Sequence, residues 1–263
     1  MYLVALTGGG TLGHVTPNLA LIENLPNAQF IYIGSGLMLE KQALSNIPNL
    51  KYHSIATGKL RRYFSWQNFV DFFKVPIGFF QALKILSNNN PNLLFSKGGY
   101  VSLPVVLAAY CLKIPIIIHE SDSIPGLTTK IASIFANEIW ANYDSVINYF
   151  PHKTLKKVIL PVRKFLSTGD KNYFKFDDHS KPTLLVMGGS LGAKAINDFV
   201  FGSFEKLISE FNIIHICGNQ KTDLSFQKAG SYYQFESLTT ELGHAYKASD
   251  FVLSRAGASA ISE

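Results

Sequence analysis

The stretch Thr7–Pro17, TGGGTLGHVTP, decides how this chain is read. It follows a short apolar run, Tyr2 to Leu6, and precedes a helix-like run, Asn18 to Leu25. Strand, glycine loop and helix in that order let backbone N–H groups approach a phosphate, and the helix adds the positive end of its dipole. Gly8, Gly9, Gly10 and Gly13 permit backbone conformations and close approaches that a Cβ blocks. His14 stands at the mouth of the loop, where an imidazole can take a proton from a bound hydroxyl. A glycine loop on its own is equally a tight turn with a capping histidine. A second loop of this kind, GGSLGA at Gly188–Ala193, lies behind another apolar run, Thr183–Met187, and shifts the balance toward ligand binding.

The rest of the composition is compatible with that reading. A chain of 263 residues, 47% of them hydrophobic, can bury one or two large cores. The net charge of +6 is spread along the chain and suits acidic partners such as nucleotides, anionic lipid surfaces or nucleic acid. Cys111 and Cys217 lie in separate apolar runs without metal-ligand spacing, so both are expected to be buried thiols of a reducing compartment. The N-terminus runs straight into a strand and shows no signal peptide. The longest apolar run, Leu103–Ile118, is broken by Pro104, Lys113 and Pro115 and is not expected to span a membrane. A cytoplasmic start is therefore expected.

Strand-like and helix-like segments alternate along the chain. Strands are expected at Gln29–Ile33, Leu50–Ile55, Asn92–Phe95, Pro115–His119, Glu138–Ala141 and Lys157–Leu160, with a helix at Leu103–Leu112. A third glycine turn, SKGGYVS, occupies Ser96–Ser102. Short apolar strands alternating with helices predict an α/β fold, a parallel sheet covered on both faces. The glycine-loop unit occurs once near each end, which predicts two similar domains, residues 1–162 and 163–263. The boundary falls at LPVR, Leu160–Arg163, before the polar stretch Ser167–Lys181.

Trp66–Leu86 is unusual. Phe69, Phe72, Phe73, Pro76, Phe80 and Leu83 recur near helical spacing, with Lys59, Arg61, Arg62, Lys74 and Lys84 around them. Aromatics beside cations suit a surface that dips into an anionic bilayer. By periodicity alone, a stripe facing the core is favoured, and Pro76 and Gly78 are expected to interrupt or bend the helix.

In doubly wound sheets ligands bind beyond the carboxyl ends of the strands. The first glycine loop, the turn Gly98–Gly99–Tyr100 and the stretch HESD, His119–Asp122, all follow strands and should converge on one edge. His119 ends a buried strand and is read as structural. Glu120 and Asp122 either orient sugar hydroxyls or His14, or cap the turn before Pro125. The second half offers Ser190 in its glycine loop and SRAGASAISE, Ser254–Glu263, after the strand Phe251–Leu253. Arg255 can neutralise phosphate. Glu263 can accept both hydroxyls of a ribose, or be a solvated helix residue. No metal-ligand cluster and no Ser/His/Asp order is read from the sequence, and both loops depart from GxGxxG.

Together TGGGTLGHVTP, SKGGYVS, HESDSIPGLT, GGSLGA and SRAGASAISE resemble the MurG family from the first residue to the last. The resemblance implies a GT-B glycosyltransferase fold, two Rossmann-like domains with parallel sheets, and transfer of GlcNAc from UDP-GlcNAc to lipid I with inversion. Lipid I is undecaprenyl-diphospho-MurNAc-pentapeptide, and the product is lipid II. It further implies a peripheral enzyme of peptidoglycan synthesis, on the cytoplasmic face of the bacterial membrane against an anionic inner-membrane surface. No cofactor, metal or nucleic-acid partner is implied, since UDP-GlcNAc is a substrate. KLRRY, Lys59–Tyr63, and HESD look most like the versions of Gram-positive relatives.

By motif, Thr11, Leu12 and Gly13 match donor-contacting positions of the first loop, which with Gly10 also faces the acceptor diphosphate. His14 matches the candidate base or acceptor-site histidine, Tyr100 and Glu120 acceptor-side positions, the latter also counted as catalytic. Asp122 stands where other members carry a substrate-binding Asn, and Leu12 where they carry Gly. Arg163 matches a boundary arginine, Ser190 a serine beside the UDP phosphates, and Leu238 an aliphatic residue whose backbone meets uracil. Ala258, Ser259, Ala260, Ile261, Ser262 and Glu263 match the donor segment, with Glu263 on the ribose. Members of the family continue for roughly a hundred residues more. The chain is therefore read as C-terminally truncated, with an incomplete second domain and an open question of activity. A non-catalytic nucleotide-binding fragment, another GT-B enzyme, or a UDP-GlcNAc epimerase remain as alternatives.

Overall fold

The computed structural model describes residues 2–45, 47–58, 66–189 and 192–263, without the side chains of Leu12, Leu39 and residues 66–73. The chain forms two compact units, Met1–Pro161 and Val162–Glu263.

Unit 1 runs β1 (Tyr2–Thr7), α1 (Leu12–Asn24), β2 (Ala28–Gly34), α2 (Met38–Ser45), β3 (Lys51–Ser54), α3 (Trp66–Asn89), β4 (Leu93–Ser96), α4 (Ser102–Cys111), β5 (Ile116–Glu120), α5 (Leu127–Ala132), β6 (Glu138–Ala141) and β7 (Thr154–Lys157). All strands pair in parallel, in the order β3-β2-β1-β4-β5-β6-β7. Successive strand side chains point to opposite faces, so a strand buried on both sides reads as a continuous apolar run. Ala5, Ile31, Ile33, Leu94, Ile116 and Ile118 face one way, into a cluster with Ala82 and Leu86 of α3, Val105 and Ala109 of α4, and Ala132 of α5. Their neighbours Leu6, Phe30, Tyr32 and Phe95 face the other way, onto Val15 and Leu19 of α1 and Leu44 of α2. That alternation is why the strands were visible as unbroken apolar runs.

Unit 2 contains β8 (Thr183–Met187), α6 (Lys194–Gly202), α7 (Phe204–Glu210), β9 (Asn212–Ile216), β10 (Tyr232–Phe235), α8 (Leu242–Ala248), β11 (Phe251–Ser254) and α9 (Ala258–Ser262). Its parallel sheet has the order β10-β9-β8-β11. Leu184, Val186 and Ile213 pack with Val200 of α6 and Ile208 of α7. Leu185, Ile214 and Ile216 pack on the opposite face with Ala245 and Ala248 of α8 and with Phe174 and Phe176.

Three expectations are corrected. The strand expected at Lys157–Leu160 lies three residues earlier, at β7; it is an edge strand of sequence TLKK, and Leu155 alone packs on the core. Cys111 is exposed, at the end of α4, whereas Cys217 is buried. Pro76 and Gly78 do not interrupt α3, which continues from Trp66 to Asn89. Gly78 is there because a Cβ would overlap the carbonyl oxygen of Ala56. Beyond it Phe79, Ala82, Leu83 and Leu86 face the core, while Ile77 and Phe80 are 52% and 65% exposed. Lys59, Arg61 and Arg62, with the side chains of Phe69, Phe72 and Phe73, lie outside the described residues. Among the described residues no helix is long and apolar enough to cross a membrane.

Candidate active site

In each unit the first strand has neighbours running off in both directions, so the sheet order reverses beside it. In unit 1 the reversal lies between β1 and β4, in unit 2 between β8 and β11. Loops at the carboxyl ends of two such strands diverge and leave a crevice for ligands.

In unit 1 the loop after β1 and the loop after β4 touch through their backbones. A Cβ on Gly99 would overlap the carbonyl oxygen of Gly9, and one on Gly10 would overlap the ring of Tyr100. Gly10, Gly98 and Gly99 have φ of 90°, 88° and 82°, the left-handed region that favours glycine. The glycine loop is buttressed from below. The Tyr32 hydroxyl donates to Gly8 O at 2.6 Å, and the buried Glu40 carboxylate accepts from Ser35 N, Ser35 Oγ and Tyr52 Oη. Glu40 Oε2 would lie 2.7 Å from a Cβ on Gly9. Burial holds the Tyr32 and Tyr52 hydroxyls protonated far above the ordinary phenol range, so both remain donors.

His14 sits in the first turn of α1, half-buried, with Nδ1 3.0 Å from Thr11 Oγ1. Burial first, and the nearby positive charge of Lys97 second, push its pKa down to about 4, while Asp122 opposes them. The imidazole is therefore neutral near pH 7. If Nδ1 carries the hydrogen and donates to Thr11, Nε2 remains open to take a proton.

His119 is buried at the end of β5, with Nε2 3.0 Å from Asn142 Oδ1, and burial lowers its pKa to about 3. The Glu120 carboxylate accepts from Asp122 N at 3.0 Å and Gly126 N at 3.4 Å. It caps the turn before α5. Asp122 is exposed beside it.

In unit 2 the loop after β8 meets the loop after β11. A Cβ on Gly189 would stand 2.9 Å from Arg255 Nη2, so the absent side chain makes room for the guanidinium. Gly192, at φ 67°, lies against the carbonyl of Cys217 at the end of β9. Asn197 Nδ2 donates to that same carbonyl at 2.9 Å. Asn197 Oδ1 and Tyr232 Oη flank the two nitrogens of His215 at 3.1 and 2.8 Å. Glu263 Oε2 accepts from Tyr246 Oη at 2.7 Å. Burial raises the Glu263 pKa, against the lowering effects of Tyr246 and of Arg163, whose guanidinium lies 4.4 Å from the Phe165 ring centroid. Leu238 is half-buried on the cluster around Phe174 and Ile214. Among the described residues no three His, Cys, Asp or Glu side chains gather as a metal site.

The Glycosyltransferase family 28 N-terminal domain matches residues 4–141, and the Glycosyltransferase family 28 C-terminal domain matches residues 183–263. A curated relative from Staphylococcus saprophyticus is 45% identical over 100% of this chain and 75% of its own length. One from Clostridium novyi is 43% identical, with the same shares. Both are named as UDP-N-acetylglucosamine--N-acetylmuramyl-(pentapeptide) pyrophosphoryl-undecaprenol N-acetylglucosamine transferases. The chain belongs to the MurG branch of glycosyltransferase family 28. Among solved structures, Acinetobacter baumannii MurG matches with a TM-score of 0.69 at 25% identity, covering 98% of this chain and 73% of that one. A Neisseria meningitidis UDP-GlcNAc 2-epimerase matches with a TM-score of 0.61 at 13% identity over 98% of this chain and 78% of that one. The second likeness shows the fold alone. The fold is thus the GT-B arrangement of parallel sheets expected of the family.

Of the positions that family motifs single out, the structure brings Gly10, Thr11, Gly13, His14 and Tyr100 together around the unit 1 loops, with Asp122 acting on His14 through space. Glu120 is committed to the backbone of its own turn. In unit 2, Arg255 stands on the glycine loop and Glu263 accepts from Tyr246. Ser190 and the Leu12 side chain fall outside the described residues. Ala258–Ser262 form α9, a short turn leading to Glu263. Three residues escaped the sequence reading: Glu40 under the first loop, Lys97 beside it, and Tyr246 on Glu263. Lys97 alone left a signal, as a lysine directly before two glycines at the end of a strand.

Proposed function

We propose that this chain is an inverting glycosyltransferase that moves GlcNAc from UDP-GlcNAc to lipid I, giving lipid II in peptidoglycan synthesis. The observation that carries this is the relatives named for that reaction, up to 45% identical over the whole chain. The geometry is compatible with it. Unit 2 is the donor side: Arg255 and the loop after β8 take the diphosphate, Glu263 takes the ribose, and the backbone near Leu238 takes the uracil. Unit 1 is the acceptor side, around Gly10, His14 and Tyr100. The acceptor hydroxyl attacks the anomeric carbon from the face opposite UDP. A new C–O bond forms, the bond to UDP breaks, and the hydroxyl proton passes to His14 Nε2. UDP leaves with the bonding pair, its charge balanced by Arg255 and backbone N–H groups. UDP-GlcNAc is consumed as a substrate, and no cofactor is required.

Exposed Ile77 and Phe80 on α3 support a face that rests on the anionic cytoplasmic side of the bacterial membrane. Such an enzyme serves the cell wall and through it cell shape and division. Transfer of labelled GlcNAc from UDP-GlcNAc to a lipid I analogue tests the activity. It should be run with this chain and with one extended by the last quarter of a relative. Lipid II should form, and His14→Ala should lower kcat about a hundredfold or more with little change in UDP binding. Transfer that is unchanged in His14→Ala removes the imidazole from the chemistry. No lipid II from either protein overturns the activity.

A further inference from the structure

Tyr246 lies in α8, and its ring packs on the cluster of Leu185, Ile214 and Ala245. A phenylalanine would fill that space as well. What the hydroxyl adds is polar: it donates to Glu263 Oε2 at 2.7 Å and stands 3.4 Å from Met187 Sδ. A phenol has one hydrogen to give, and a thioether is a weak acceptor, so the hydrogen belongs to the carboxylate. Burial first, and the charge of Glu263 second, push the Tyr246 pKa well above the ordinary phenol range, which keeps it a donor.

The surroundings hold this pair in place. Met187 ends β8 just before the glycine loop, and Glu263 follows α9, so one hydroxyl stands between the two segments. The first turn of α8 is pressed against the turn Lys164–Ser167: a Cβ on Gly243 would overlap the carbonyl oxygen of Phe165. Arg163 directly precedes that turn, and Arg163 and Tyr246 both favour the ionised form of Glu263. As a residue Glu263 is exposed, and a free glutamate loses rotamer entropy when a ligand orders it. The bond from Tyr246 imposes that order beforehand. It takes one of the roughly four acceptor positions of a carboxylate and leaves Oε1 unengaged by it.

We propose that Tyr246 is a positioning residue for the donor's ribose: it holds the Glu263 carboxylate in the orientation that accepts from the 2′- and 3′-hydroxyls, and so sets the preference for a ribonucleotide over a deoxyribonucleotide. This inference rests on the reading of unit 2 as the donor side, with Glu263 on the ribose.

The test is direct binding and needs no turnover. UDP and 2′-deoxy-UDP are titrated calorimetrically into the unaltered chain, Tyr246→Phe, Glu263→Gln and the double variant. The unaltered chain should prefer UDP, and Tyr246→Phe should shrink that preference about fivefold or more, the worth of a hydrogen bond to a charged group. Affinity for 2′-deoxy-UDP should change less. In the Glu263→Gln background, Tyr246→Phe should cause no further loss, because the two residues act as one unit. A role in packing alone would weaken both nucleotides equally, and that result overturns the proposal. So does a UDP preference that Tyr246→Phe leaves intact, or one that it lowers as much without Glu263 as with it. If Tyr246→Phe does not fold, the unaltered chain carrying 13C-labelled tyrosine decides: the Tyr246 Cζ resonance should move with UDP and move less with 2′-deoxy-UDP, and a resonance that responds alike to both, or to neither, overturns the proposal. A preference for UDP that is lost in Glu263→Gln but kept in Tyr246→Phe would sink this proposal and leave the donor side standing. No preference in the unaltered chain would sink both the proposal and the placing of Glu263 on the ribose.

Discussion

At the scale of single residues, the histidines carry a measurable consequence. His215 is fully buried between Asn197 and Tyr232, and burial lowers its pKa to about 4. The folded protein therefore resists a proton that the unfolded chain accepts from about pH 6.5 downward. Stability is fully present above that pH, falls as the pH drops toward 4, and then levels off. The loss from this one site is roughly 3 kcal/mol. His14 and His119 are lowered too and add to the same slope within unit 1. Urea unfolding of unit 2 between pH 7 and 4 should show that decline, and His215→Gln should remove about one proton from its pH dependence. An unchanged slope in the variant would mean that His215 binds protons equally in the folded and the unfolded chain. Nothing in the sequence separated His215 from a surface histidine. Its role comes from Asn197, Tyr232 and the Cys217 carbonyl, which only tertiary structure assembles. His14 was different, because a glycine loop after a strand and before a helix already fixes where the next side chain stands. Lys97 and Glu40 were not singled out because the burial of a charge is decided by neighbours distant in sequence.

At the scale of elements, the strands were legible wherever both faces are covered. β1, β2, β4, β5 and β8 are unbroken apolar runs ended by glycine or polar turns. β7 failed that test because an edge strand with two lysines in four residues has little hydrophobic signal to read. The helix α3 failed differently, since local propensity argues against continuing through Pro76 and Gly78 while packing on α4 and the sheet favours it. Gly78 marks where that packing is tightest. On an open helix, Gly→Ala is expected to stabilise by roughly 0.5–1 kcal/mol. Here the built Cβ overlaps the backbone carbonyl of Ala56, which cannot rotate aside as a side chain can. Gly78→Ala should therefore lower the unfolding free energy of unit 1, by about 1–3 kcal/mol. Phe80→Ser, two residues away but 65% exposed, should change stability by less than about 0.5 kcal/mol. It should also weaken binding to anionic vesicles. Urea titrations of the two variants in parallel decide the matter: a stabilised Gly78→Ala would show that α3 and Ala56 separate at no cost.

At the scale of the whole molecule, each unit has its own parallel sheet with apolar clusters on both faces. The residues assigned to the UDP part of the donor, Arg255, Glu263 and Leu238, belong to Val162–Glu263, so UDP should stabilise that unit selectively. The two sheets do not start level. Among the described residues the unit 1 sheet has seven strands, whereas β11 closes one side of a four-stranded sheet with Phe251 and Val252 at 56% and 50% exposure. Amides of β11 should exchange fastest among the strands of unit 2, because few apolar contacts protect an exposed edge. A ligand at a hundred times its dissociation constant adds about 2.7 kcal/mol to any opening that destroys its site. UDP at that level should thus slow exchange in β8 about a hundredfold, since that strand ends at the loop that takes the diphosphate. β1, β2 and β4 should exchange as before if the units open independently. Equal slowing in both sheets would show a single cooperative unit. Slowing confined to β1 and β4 would put the nucleotide in unit 1 and reverse the assignment of donor and acceptor sides.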